Sequence, residues 1–172
     1  LDRIRYIVDQ VFGDHGLRGR AGRIWLHERL GIYAAAEHFT AVVGEWLIDN
    51  EAFDRRGVDP TMLDLLRWHG AEEIEHRNVA FDAYQYVDGS YARRVRTAFI
   101  AFAGLALLWF STTAYLYRID ATETRRLPWP LAYRRAARAK MMPTLTFLAK
   151  QIARHLVGMG AYGLDLGSFS PF

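Results

Sequence analysis

No cysteine occurs among the 172 residues, and that one absence removes a good deal of chemistry. Disulfides, thiolate zinc sites, iron–sulfur clusters and cysteine nucleophiles are all excluded. Any metal must be held by His, Asp and Glu, a donor set suited to iron, manganese or zinc. A strong charge bias is missing too. The 22 Lys and Arg against 19 Asp and Glu leave a net +3, which gives no sign of a nucleic-acid footprint. There is no repeat at solenoid periods and no Gly-rich phosphate loop. The chain opens on Leu1 without a signal-peptide pattern, so it is read as a processed product or part of a longer chain. Apolar material is abundant: 51% of residues are hydrophobic, with five Trp, nine Tyr and ten Phe. That excludes a disordered chain and, at this length, fits one domain with a real core.

Periodicity predicts an all-α fold. Residues 1–12 read as a short amphipathic helix, followed by a Gly-rich loop from Gly13 to Gly22. A helix is expected over 24–50, with an inner stripe of Leu30, Ala34, Glu37, Ala41, Gly44 and Ile48. After a polar loop, Asp59–Pro60 pairs an N-cap with a proline at the first helical position. That helix runs to Val87 and stops at Asp88–Gly89. The next is expected over 91–117, and its stretch from Ala98 to Tyr117 carries no charge. Such a run reads both as a bilayer span and as the central helix of a soluble domain, and the second reading is favoured. A Pro-containing linker over 122–130 leads to a basic amphipathic helix over 131–142, bearing Arg134, Arg135, Arg138 and Lys140. Its sharper reading is a surface for a membrane or a partner. A last helix is expected over 143–158. The whole is read as a single helical domain, with core helices over 24–117 and an extension over 118–172.

Six histidines form the reactive inventory: His15, His27, His38, His69, His76 and His155. Two of them stand in the stretch that organises the chain, Trp68 to Arg77. On a helix, His69, Glu72, Glu73 and His76 share an arc of roughly 100°, while Glu75 points away. The same arc carries Met62, Leu65 and Leu66 before it and Ala80 and Ala83 after it, so it is expected to face the core. Buried carboxylates are costly unless paired or bound to a cation, and no Lys or Arg shares this arc. Glu37, set among small residues on the preceding helix, is a further carboxylate in need of a partner. Helix bundles build two-metal sites from two lone Glu and two Glu-x-x-His motifs. Glu37 and Glu73-x-x-His76 supply half of that complement.

Ala36–Glu37–His38–Phe39–Thr40–Ala41, followed by Trp68–His69–x–x–Glu72–Glu73–x–Glu75–His76–Arg77–x–Val79–Ala80–Phe81–Asp82, resembles the bacterial family labelled predicted metal-dependent hydrolases. The likeness is good over roughly residues 30–120. It implies a ferritin-like helical bundle, with additional C-terminal helices, around a di-metal centre. Glu37, Glu73 and His76 match the expected metal ligands, with His69 and Glu72 as candidates to bind the metal or to support the residues that do; if the reaction is hydrolysis, Glu72 is the expected catalytic base. The family pattern also has an upstream Glu and a Gln-Glu-x-x-His-type motif. Here Gln10 is followed by Val11, and Phe169–Ser170–Pro171 stands where the family has Phe-His-Pro.

The expected function is therefore that of a metal-dependent enzyme. Its cofactor is a divalent metal, iron as two ions in the first reading, with manganese or zinc as alternatives. The reaction is either hydrolysis or an O2-dependent oxidation of a small hydrophobic substrate. The competing reading is a non-catalytic helical subunit attached to a membrane or complex. Expected partners are the substrate, a membrane surface and a second copy of the chain, with no nucleic acid. The expected location is the cytoplasm, at the inner face of the membrane.

Overall fold

A computed structural model describes residues 5–6, 8–10, 13, 15–120 and 127–150. The fold is all-α, with no strand among the described residues. The elements are α1 (Gly19–Ile48), α2 (Ala52–Arg55), α3 (Pro60–Val87), α4 (Tyr91–Ile119) and α5 (Trp129–Arg138). The described residues within 5–10 and residues 145–150 are also helical. His155, Phe169–Ser170–Pro171, the first part of the 122–130 linker and the last part of the 143–158 helix lie outside the described residues.

The ends of α3 follow from local chemistry. The Asp59 carboxylate accepts from the Met62 N–H at 2.9 Å, satisfying one of the donors that a helix start leaves unpaired. At the other end Gly89 takes φ +61°, a conformation that suits glycine. Several boundaries differ from expectation, and three of the differences are informative. α1 begins at Gly19 instead of Ile24, because Gly19 itself makes the bend at φ +58° and glycine costs little in a first turn. The loop over 51–58 contains the short α2, whose Ala52 and Phe53 are buried. α5 occupies 129–138 instead of 131–142.

The chain divides into two compact units: Leu1–Ala41 with Glu72–Leu107, and Val42–Ala71 with Leu108–Phe172. In the first, Ala35, Ala98 and Ala101 form a core against which Ile32 packs. Tyr84 is fully buried, and its hydroxyl, with one proton shared between two acceptors, lies 2.6 Å from Ser90 O and 3.1 Å from Asp88 Oδ2. The Asp88 carboxylate lies 3.1 Å from His27 Nδ1 and pairs with Arg93, which donates to Glu28 at 2.9 Å. This network ties the helix ends of the first unit together. In the second unit α1 and α3 meet backbone to backbone at Gly44 and Gly70. Trp46 packs edge-on against Phe53, and Phe110, Trp129 and Tyr133 form an aromatic cluster.

Two expected faces are corrected. On α3 the buried positions are Leu63, Gly70 and Tyr84, whereas Met62, Leu65 and Leu66 are exposed, as are His69, His76 and Ala83. The core-facing side is rotated by about 100°, one residue's worth of helix, from the stripe that apolar periodicity marks. On α4, only Arg94, Thr97, Ala98 and Ala101 are buried, so 98–117 is not the buried central helix expected. It is long and apolar enough to cross a membrane, with 6% of its most apolar window buried.

Candidate functional site

Within the first unit α1 and α3 bring two carboxyls together. Glu37 and Glu73 stand close enough to share a hydrogen bond, and His76 lies near enough to act on Glu37. Burial, followed by the like charge of Glu73, raises the proton affinity of Glu37, and His76 opposes that. Glu37 Oε2 is buried with no hydrogen-bond partner. Glu73 is held from α1, since the Thr40 hydroxyl lies 2.6 Å from its Oε2. That hydroxyl is also 3.1 Å from the Ala36 and Glu37 carbonyl oxygens. It has one proton to give, and the short contact to a carboxylate is the strongest of the three.

The other predicted residues are placed differently. Glu72 is half-buried, about 100° around α3 from Glu73. His69 is exposed and belongs to the part of α3 in the second unit. His38 sits beside Glu37 in sequence, and burial, then the nearby Arg77 charge, lowers its pKa to about 4. His38 is therefore a neutral imidazole at pH 7. Thr40 is the residue that sequence reasoning missed. The available signal was its place one turn after Glu37 on the same helix.

Residues 8–161 match the family described as predicted metal-dependent hydrolase. The chain belongs to this family. Comparison with curated proteins and with solved structures finds no match. The family's description as predicted metal-dependent hydrolase implies a divalent metal, and the donor set can be tested against one. A cation beside Glu37 and Glu73 would satisfy the orphaned Oε2 and replace the shared proton. Carboxylate oxygens and an imidazole are the right donors for iron, manganese or zinc. Among the described residues no group of three or more His, Asp or Glu is arranged to hold a metal ion. The donors present thus fit one side of a metal site.

Proposed function

We propose that this member of the metal-dependent hydrolases uses Glu37, Glu73 and His76 as its own contribution to a divalent-metal site. The observation that carries the reading is the buried, unpartnered Oε2 of Glu37 opposite a second carboxyl. Two carboxyls so placed share a proton unless a cation takes its place. A divalent metal held there would supply Lewis-acid polarisation and a water ionised near neutral pH. The chain's own residues do the rest. Thr40 would fix the rotamer of Glu73, Glu37 would exchange its proton for the cation, and Glu72, next to the ligand in sequence though about 100° around α3 from it, would be the proton acceptor. Hydrolysis is the reaction class we favour, on the family description. The di-iron, O2-dependent reading draws on the same carboxylate and imidazole donors and predicts two irons per site.

The test is metal binding by the full chain, with Mn2+, Zn2+ and anaerobic Fe2+ as separate probes, read by calorimetry and by the shift in melting temperature. Binding is expected to fall at least tenfold in Glu37→Gln and Glu73→Gln, and in His76→Ala. Equal binding by wild type and all three variants would refute the assignment. Two equivalents of Fe2+ with no response to Zn2+ would favour the oxidative reading.

A second reading concerns location. The exposed Phe99, Ile100, Leu107, Tyr115 and Leu116 of α4 support a protein that works against the inner face of the cytoplasmic membrane. Its measurement is partition of the full chain between soluble and membrane fractions.

A further inference from the structure

The second unit contains two adjoining cavities, one mainly basic and one mainly aromatic and apolar. One, of about 480 Å3, is lined by Ala52, Arg55, Arg56, Arg138, Ala139 and Lys140. It has four cationic side chains and no carboxylate in its wall. Arg55 is held by Glu51 at 2.6 Å. Arg56, Arg138 and Lys140 have no ion pair among the described residues. The other cavity, of about 430 Å3, is walled mainly by Tyr117, Leu127, Trp129, Tyr133, Met141 and Met142, with Arg135 also in its wall. Arg56 and Ala139 line both, so the basic pocket opens beside the apolar one.

The basic cavity is held in shape by a buried side chain. Asn50 is 9% exposed. Its Nδ2 donates to Lys140 O at 2.6 Å, and its Oδ1 accepts from Ala52 N at 3.1 Å. One amide thus pins the start of α2 to the turn after α5, fixing the two sides of the cavity. That turn is itself informative. Lys140 N bonds Ala137 O at 3.1 Å and Met141 N bonds Ala136 O at 2.9 Å, the paired bonds of a glycine-type helix end. Lys140 has φ 60° there, the one non-glycine residue with positive φ among those described. Glycine would suit the backbone better. Attraction to the helix dipole explains a cation at the end of α5. It does not explain three cations without an ion pair among the described residues around one concavity next to an aromatic one.

We propose that the two cavities form one binding site for a free, single-chain amphiphile with an anionic head, an alkyl carboxylate or alkyl phosphate. The head lies among Arg56, Arg138 and Lys140, where charge-assisted hydrogen bonds are strongest. The tail lies among Trp129, Tyr133 and the two methionines, soft side chains that adapt to a flexible chain. The inference concerns the second unit alone and is independent of the metal reading.

Calorimetry on the full chain tests it, with dodecyl phosphate and dodecanoate below their micelle concentrations, and with dodecanol and inorganic phosphate as half-ligands. Both amphiphiles are expected to bind one per chain, and both half-ligands at least tenfold more weakly. The stronger of the two amphiphiles identifies the head. Lys140→Gly is expected to weaken amphiphile binding at least tenfold without lowering the melting temperature, since glycine suits φ 60°. Ala136→Trp, which fills the apolar cavity and spares the cations, is expected to weaken the amphiphiles and leave inorganic phosphate unchanged. Binding that survives Lys140→Gly and Arg138→Gln overturns the proposal, as does dodecanol binding as well as dodecanoate. Sedimentation with 3:1 phosphatidylcholine:phosphatidylglycerol vesicles, lost in Lys140→Gly while neither free amphiphile binds, overturns it in favour of a membrane surface.

Discussion

Gly44 offers a prediction whose size can be worked from distances. A Cβ built there would lie 2.5 Å from Gly70 O and 2.9 Å from Gly70 Cα. Ordinary contact begins near 3.4 Å, so α1 and α3 would have to part by about 0.9 Å at this point. The obstacle is backbone, and no rotamer change relieves it. A gap of that size forfeits roughly a quarter to a half of each van der Waals contact along the seam. Alanine recovers about 1 kcal/mol of helix propensity over glycine. Overpacking of this kind costs typically 1–3 kcal/mol and more where nothing can yield. Gly44→Ala is therefore expected to lower stability by about 2 kcal/mol. Gly104 is the internal control, since a Cβ there meets nothing within 4 Å and its alanine variant should gain about 0.5–1 kcal/mol. Gly31 lies between: its Cβ would stand 2.7 Å from Thr97 Oγ1 and 3.1 Å from Thr97 Cγ2. Gly31→Ala should be destabilising but rescued by Thr97→Ala, because that obstacle is a side chain. Urea unfolding of the four variants and wild type decides the matter, with midpoints compared at constant m. If Gly44→Ala unfolds at the same urea concentration as Gly104→Ala, the close backbone approach is refuted.

Acid should act on the fold through His38. Its folded pKa of about 4 lies below the unfolded value of about 6.5, so the unfolded chain takes the proton first as pH falls. Stability is then full above about pH 6.5 and lost towards pH 4, by about 2 kcal/mol between pH 7.5 and 5. His38→Gln should flatten that slope in paired urea melts, and an unchanged slope would count against the burial argument. Asp88 titrates with the opposite starting form. Burial alone would raise its pKa, but hydrogen bonds from Arg93, Tyr84 and Ser90 hold it down at about 2. Its contribution is present above about pH 4 and lost on acidification towards pH 2, and partial exposure limits it to about 1 kcal/mol. Arg93→Leu should make that acid-range slope shallower and destabilise the neutral protein by about 1–2 kcal/mol, since Asp88 keeps His27, Tyr84 and Ser90 and Glu28 keeps Arg96 while each loses one charged partner. Thr40→Val should leave the fold intact and weaken metal binding about tenfold or more, because Glu73 loses the donor that sets its rotamer. Unchanged affinity would remove Thr40 from the site.

What the sequence made legible divides along a physical line. The limits of α3 could be read because Asp59–Pro60 and Asp88–Gly89 are local devices, set by the bonding of a few adjacent atoms. Its buried face could not, because periodicity marks where apolar residues recur and not what covers them. Met62 and Leu65 carry the strong signal and are exposed, whereas Gly70 carries none and lies in a close backbone contact with Gly44. α4 was misread for the same reason: an uncharged helix has one composition whether or not anything packs on it. The end of α5 shows the converse, where a helix stops without the glycine that would have announced it, at Lys140. Glu37 and Glu73 were legible as acids in an apolar or small-residue setting, since that burial demands compensation wherever the partner sits. Thr40 was not, because a hydroxyl is cheap to satisfy against its own helix, and only the register of α1 on α3 turns it towards Glu73. Sequence reasoning therefore finds the groups that cannot be left alone and misses those that would be content anywhere. A metal assignment founded on the first kind is best tested by mutating the second, and Thr40 is that residue here.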